Sequence, residues 1–330
     1  MTPQTSDAFL EAETALGYHT FYGLHLRGIK KLIVIHGPGH RILSRIAHTY
    51  EERGAHLSRW HSIYDPASLT GVVMPASETA WISGEIYGRV SIAPHIAVES
   101  LKAGPDLPYP LSLEIHERQA RIRRLLAGAL TAYSEYESLS LAKVNPDIEA
   151  FARHWRDKLL GRTTFAGHPL DIHSFGNPLT ADGPHHHFMA CQFSPLALTV
   201  HLVDGMPALN SRLIRRLGEM ALVLGHTVHF FHDALDPSKI NHIMFPDLAI
   251  GVTDATAPYA IPGGRQRLDT RTEFGRNRDV DEAEAWWTVY QKLYSQAWRL
   301  LDEIRRLRQS WAVPADADIE RLASWSIASA

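Results

Sequence analysis

The sequence predicts an α/β protein made of one unit written twice, each unit a parallel sheet flanked by helices with a helical segment behind it. Three observations carry this. Sliding the chain on itself by 171 positions lays residues 41–82 on 212–253 without a gap. Identities fall at Arg41/Arg212, Arg45/Arg216, Gly54/Gly225, His61/His232, Asp65/Asp236, Pro66/Pro237 and Pro75/Pro246. The same offset returns later, where Asp147-Ile148-Glu149 meets Asp318-Ile319-Glu320 and Ala152 meets Ala323. Second, each copy opens on a Val/Ile/Leu-rich run, then a Gly/Pro turn, then an amphipathic stretch. Third, each copy ends in a long segment of helical periodicity.

The elements follow in order. The runs at 31–36 and 198–203 read as buried strands. The turns are Gly37-Pro38-Gly39 and Gly205-Met206-Pro207. Ile42, Ile46 and Tyr50 share one helix face, as do Leu213, Leu217 and Ala221. Gly54 and Gly225 stand where a glycine ends each helix. A second strand runs to Trp60 or Phe231, followed by a His…Asp-Pro segment. A short strand ends at Pro75 or Pro246, and another lies around 79–82 or 248–252. Strand, helix, strand at these lengths implies a parallel sheet. The helical segments span 119–142 and 282–311, the second striped by Trp287, Tyr290, Tyr294, Trp298, Leu301 and Ile304. Such stripes read as core or subunit contacts. The copies divide near 156–161, giving domains 1–157 and 158–330. Residues 256–278, rich in Pro, Gly, Arg and Asp, read as a long loop.

Composition bounds the rest. The 330 residues are 45% hydrophobic and 21% charged, a globular mixture that excludes a disordered or collagen-like chain. No run of about 18 apolar residues is present, so no membrane span is expected. The start is polar and acidic, so no signal peptide is expected and the cytoplasm is the expected location. The single cysteine, Cys191, excludes an intramolecular disulfide and a Cys-based zinc site. A net charge of −3 gives no reason to expect nucleic acid. The 20 histidines raise the question of a metal. His226 and His229 are three apart on a predicted strand and point to opposite faces, and His185, His186 and His187 lie in a Gly/Pro-flanked loop. No G-x-S-x-G nucleophile turn occurs.

A glycine turn between a strand and its helix is where phosphate-binding loops sit. Around these turns the chain carries Gly17-Tyr-His-Thr-Phe-Tyr22 and Gly28-Ile-Lys-Lys-Leu32. It also carries Trp60-His61 with Asp65-Pro66, Phe231-His232 with Asp236-Pro237, and Asp254-Ala-Thr-Ala-Pro258-Tyr259. In these segments and their order, over most of its length, the chain resembles the bacterial tandem P-loop ATPase-like proteins. The resemblance implies two P-loop NTPase-like domains with ATP and Mg²⁺ at the turns. It also exposes departures. The family's Walker lysine falls on Gly39 and Asn210, and the following Ser/Thr on His40 and Ser211. The acid after the last strand is Ser83 in the first copy and Asp254 in the second. Neither copy contains G-K-[ST].

The resemblance therefore nominates Gly37, Gly39 and Arg41 in the first copy and Gly205, Asn210, Ser211 and Arg212 in the second as ligand-binding residues, with Ser211 and Asp254 for magnesium. His61, Asp65, His232 and Asp236 join them as duplicated polar residues at strand ends. Plainer readings stay open: Arg41 and Arg212 as solvated helix residues, Asp-Pro as a turn, and the histidines as strand-end packing. The expected function is a degenerate ATPase that binds a nucleotide, another phosphate ligand or a partner, with the second copy the more competent. The rivals are an active ATPase or kinase using Ser211, Arg212 and Asp254, and a scaffold that dimerises through Trp287, Tyr294 and Trp298.

Overall fold

The computed structural model describes residues 6–140, 147–161, 168–184, 186–203, 207–255, 266–269, 280–311 and 316–328. The first half runs β1 (Ser6–Ala8), β2 (Glu11–Thr14), β3 (Gly17–Thr20), α1 (Tyr22–His25), β4 (Lys31–His36), α2 (His40–Glu52), β5 (Ser58–His61), β6 (Leu69–Met74), β7 (Thr79–Ser83), α3 (Gly84–Tyr87), β8 (Ala97–Lys102), α4 (Tyr109–Ser140) and α5 (Ile148–Leu159). The second runs β9 (Asp171–Phe175), β10 (Leu179–Thr180), β11 (Gly183–Pro184), α6 (His186–Phe193), β12 (Leu198–Val203), α7 (Pro207–Val223), β13 (Val228–His232), β14 (Ile240–Phe245), β15 (Ile250–Asp254), β16 (Gln266–Asp269), α8 (Val280–Gln309) and α9 (Asp316–Ala328).

Each half holds a six-stranded sheet, in the orders β1-β5-β6-β7-β4-β8 and β9-β13-β14-β15-β12-β16. The two orders are one order. The sheets are mixed, which corrects the expected all-parallel arrangement: β6 and β14 run antiparallel to both neighbours. The cause is short chain. Only a 3₁₀ turn (Pro75–Ser77, Pro246–Leu248) and one left-handed residue, Glu78 (φ 52°) or Ala249 (φ 53°), join β6 to β7 and β14 to β15. A parallel crossover needs about a dozen residues or more. Gly54 (φ 73°) and Gly225 (φ 88°) end α2 and α7 in the left-handed region, as the sequence predicts. The stretch 256–278 contains β16, which pairs with β12 as β8 pairs with β4; its other residues lie outside the described ones.

The halves pack as a pseudo-dimer. Phe9 and Phe175, equivalent residues of the two halves, bridge each other antiparallel, with Phe175 N donating to Phe9 O at 2.9 Å. A contact between equivalent residues marks the two-fold of an isologous interface. The hairpin turns reach across reciprocally: Ala15 N donates to Leu235 O (3.1 Å) and Ala181 N to Ile63 O (2.9 Å). α4 and α8 pair antiparallel, with Arg118 bound to Glu303 (2.9 Å) and Tyr133 beside Tyr290 (ring centroids 5.2 Å). Most of the aromatic stripe of α8 is spent inside the chain in this way.

The last helix of each half crosses over. α5 packs on α7, and α9 packs on α2. Ile319 and Ala323 sit in the core of Ile42, Leu43 and Ile46, and Ala152 and Trp155 in that of Leu213 and Leu217. Arg45 binds Glu320 (2.9 Å) and Arg216 binds Glu149 (2.8 Å), the same pair twice. The duplicated Asp-Ile-Glu motif is therefore the exchange itself, with Asp147 capping α5 through Ala150 N (2.9 Å). The 157/158 division falls inside α5.

Candidate functional site

β4 is buried on both faces, which is why its sequence is continuously apolar. At its carboxyl end the chain must turn sharply. Gly37 (φ 85°) does so with its α-carbon so close to Gly104 that an added Cβ would lie 3.0 Å from the Gly104 backbone. A Cβ on Gly39 would lie 2.7 Å from Ile35 Cγ2. Gly39 N donates to Gly37 O at 2.7 Å, and α2 begins with no side-chain cap and no acid in its first turn. Its uncapped N-terminus keeps its partial positive charge.

This turn forms one wall of a cleft of about 170 Å³ at the strand ends. The β5–β6 loop supplies Ser62, Tyr64 and Asp65, and the chain after β7 supplies Glu85 and Arg89. The roof comes from the other half: Arg305, Arg308 and Trp311 at the end of α8. Arg308 lies over the Tyr64 ring at 4.4 Å and donates to Glu85 Oε2 at 2.7 Å. Its Nε is buried and has no acceptor, and the same holds for Trp311 Nε1. Arg89 lies over the Tyr18 ring at 4.4 Å. Arg305 is held by Asp182 and Asp302.

The floor is a hydrogen-bonded network. Glu11, 2% exposed, accepts from Tyr18 Oη and from Ile63 N (3.3 Å). Burial pushes its carboxyl up, against the Tyr18 hydrogen bond and the charge of Arg89. Tyr64 Oη donates to Glu13 (2.7 Å) and accepts from Gln119 (2.8 Å), and Arg123 closes on Glu13 (2.8 Å). Burial lowers His40, only partly offset by Asp65, so its ring is neutral near pH 7.

The nominated residues divide. Gly37, Gly39 and Asp65 line the cleft. Asp65 also accepts from Ser68 Oγ (2.6 Å), and Asp236 accepts from Ser238 N and Oγ (3.0 and 2.7 Å), so both close their turns. His61 and His232 lock the same turn: Nδ1 meets Pro66 O at 2.8 Å and donates to Pro237 O at 2.6 Å, respectively. Each stands at a bulge, where the pairing skips Thr70 or Asn241. Arg41 and Arg212 are exposed on α2 and α7, and Arg41 is not among the residues lining the cleft. Gly205 lies outside the described residues. Asn210 donates to Asp254 Oδ1 (3.0 Å), and Ser211 Oγ accepts from Ile240 N (2.9 Å). Ser211 and Asp254 are thus held by different neighbours, and among the described residues no group of three His, Cys, Asp or Glu side chains is arranged to hold a metal.

Glu11, Glu85, Arg89 and Arg308 were not nominated by the sequence. Arg308 sits in an Arg305-Arg306-Leu307-Arg308 run that reads as cations complementing a helix C-terminus.

Comparison of the chain with protein-family models, curated proteins and solved structures finds no match.

Proposed function

We propose that the chain is a tandem P-loop-like protein that binds a phosphate-bearing ligand, a nucleotide by class, in the first-half cleft and does not hydrolyse it. One observation carries the reading: an uncapped helix start at a backbone-tight glycine turn opens onto a cleft that also receives Arg89 and Arg308. Backbone N–H groups and guanidinium forks are the two donor types that suit phosphate oxygens. The absence of turnover follows from residues at the lysine positions. Gly39 has no side chain, and Asn210 is bonded to Asp254. No cation on the loop reaches a β/γ-phosphate, which phosphoryl transfer requires. The reading contains no magnesium step.

Thermal unfolding with ATP, ADP or inorganic pyrophosphate, each without Mg²⁺, tests it beside a phosphate-release assay. The expected result is a raised midpoint with no phosphate released. No shift with any of the three contradicts the reading. Phosphate release abolished by Asp254→Ala supports an active ATPase instead.

A further inference from the structure

The first-half cleft is not built by the first half alone. Its roof arginine, Arg308, belongs to α8, and it is already engaged by a carboxylate. That carboxylate, Glu85, stands in the first turn of the four-residue α3 at the end of β7. The side chain of Glu85 is 41% exposed, whereas that of Arg308 is 23% exposed. The contact uses one guanidinium nitrogen, and the buried Nε has no acceptor. An arginine fork normally meets an oxyanion with two nitrogens at once. Here one arm is filled from a partly solvated helix end, and the rest of the fork is not matched. Arg89 and the uncapped start of α2 line the same cleft.

We propose that Glu85 is an internal stand-in for the anionic group of the ligand, and that a phosphate group binds by displacing it from Arg308, so that the second half supplies the recognition residue of the first-half site. This rests on the functional reading above. The displacement exchanges one carboxylate–guanidinium contact for a phosphate–guanidinium contact and releases Glu85 to water. The competitor is local: Glu85 touches Arg308 and is separate from the Glu11 and Glu13 network beneath.

Titration calorimetry with inorganic pyrophosphate in Mg²⁺-free buffer tests this. Glu85→Gln removes the competing charge and should tighten binding about 5- to 10-fold. Arg308→Gln should weaken it by about 10-fold or more, and Arg308→Lys, which keeps charge but not the fork, should fall between. In Glu85→Gln/Arg308→Gln the gain from Glu85→Gln should vanish, because there is no fork left to release. Arg308→Lys guards against a folding defect in Arg308→Gln, since it retains the cation over Tyr64. Unchanged or weaker binding by Glu85→Gln overturns the displacement while leaving the site intact. Wild-type affinity in Arg308→Gln overturns the role of the second half. No pyrophosphate binding by wild type or Glu85→Gln, both folded, overturns the functional reading with it.

Discussion

The helix that arrives from the first half brings Glu137 to the second-half strand ends, and the helix that arrives from the second half brings Arg308 to the first-half strand ends. These two residues occupy equivalent positions, 171 apart, with opposite charge. Glu137 is bonded to Lys239 (2.6 Å), whose ammonium also lies over the Tyr133 ring (5.2 Å). The loop cation of the second half is thus paired from within, whereas the corresponding loop of the first half, 62–68, carries no cation and the arginines of its cleft come from α8 and the chain after β7. On the proposed function, the same scaffold offers an anion a cleft in the first copy, where the second copy has the Glu137–Lys239 pair. The expectation that the second copy is the more competent is reversed by this reading. A shared sheet order fixes where a site can be, and the residues delivered by the exchanged segments decide what it can take.

A second pair of equivalent positions differs in a way that pH can read. His61 Nε2 meets Asp7 Oδ1 (2.8 Å), whereas His232 Nε2 meets His173 Nδ1 (2.8 Å). Burial pushes the Asp7 carboxyl up, but hydrogen bonds from His61 and Arg59 outweigh it and hold it at about 2. Burial holds His229 and His232 at about 3, with neighbouring histidine His173 adding repulsion in both cases. The folded-state value of Asp7 lies below its ordinary 3.8, so its contribution is complete above pH about 4 and is lost toward pH 2. The histidines lie below their ordinary 6.5, so the unfolded chain takes up their protons first. Their contribution is complete above pH 6.5 and falls as pH drops toward 3. Between pH 7 and pH 5 these two histidines therefore cost about 2 kcal/mol each, on top of the loss from the other histidines that burial lowers in both halves, His19, His25, His40, His173 and His201. Urea midpoints at the two pH values should show it, and His229→Asn/His232→Asn should shrink the difference. An equal drop in that variant would place the sensitivity elsewhere.

The smallest effect checks the pseudo-symmetry itself. Arg45→Gln and Arg216→Gln each break one copy of the crossing ion pair, and these side chains are 38% and 40% exposed. Each should lower the denaturation midpoint only slightly, alike in the two halves and less in high salt. Denaturation of both variants at low and high salt reads it. A large effect in only one half would mean that the two crossings are not equivalent.

Legibility in the sequence followed distance along the chain. The repeat was readable because Arg45/Arg216 and Glu149/Glu320 keep one offset, yet a repeat says which residues correspond and not whether a helix folds back on its own half. The antiparallel β6 was present as a signal: the short gap from Pro75 to Thr79 leaves no room for a parallel crossover. Gly37 and Gly39 were readable because a tight turn after a buried strand needs them. Arg308 was not, because it reaches Glu85 across 223 positions and looks like an ordinary helix-end cation. His61 and His232 repeat, and the ring of each bonds the proline carbonyl of the Asp-Pro turn that follows it.

The central claim is that phosphate binds one half and not its equivalent. Amide hydrogen exchange with and without ATP, in Mg²⁺-free buffer, tests it most directly. The account predicts slowed exchange at residues 37–43 and 305–311 and no change at 207–213. Slowed exchange at 207–213 with none at 37–43 would contradict it.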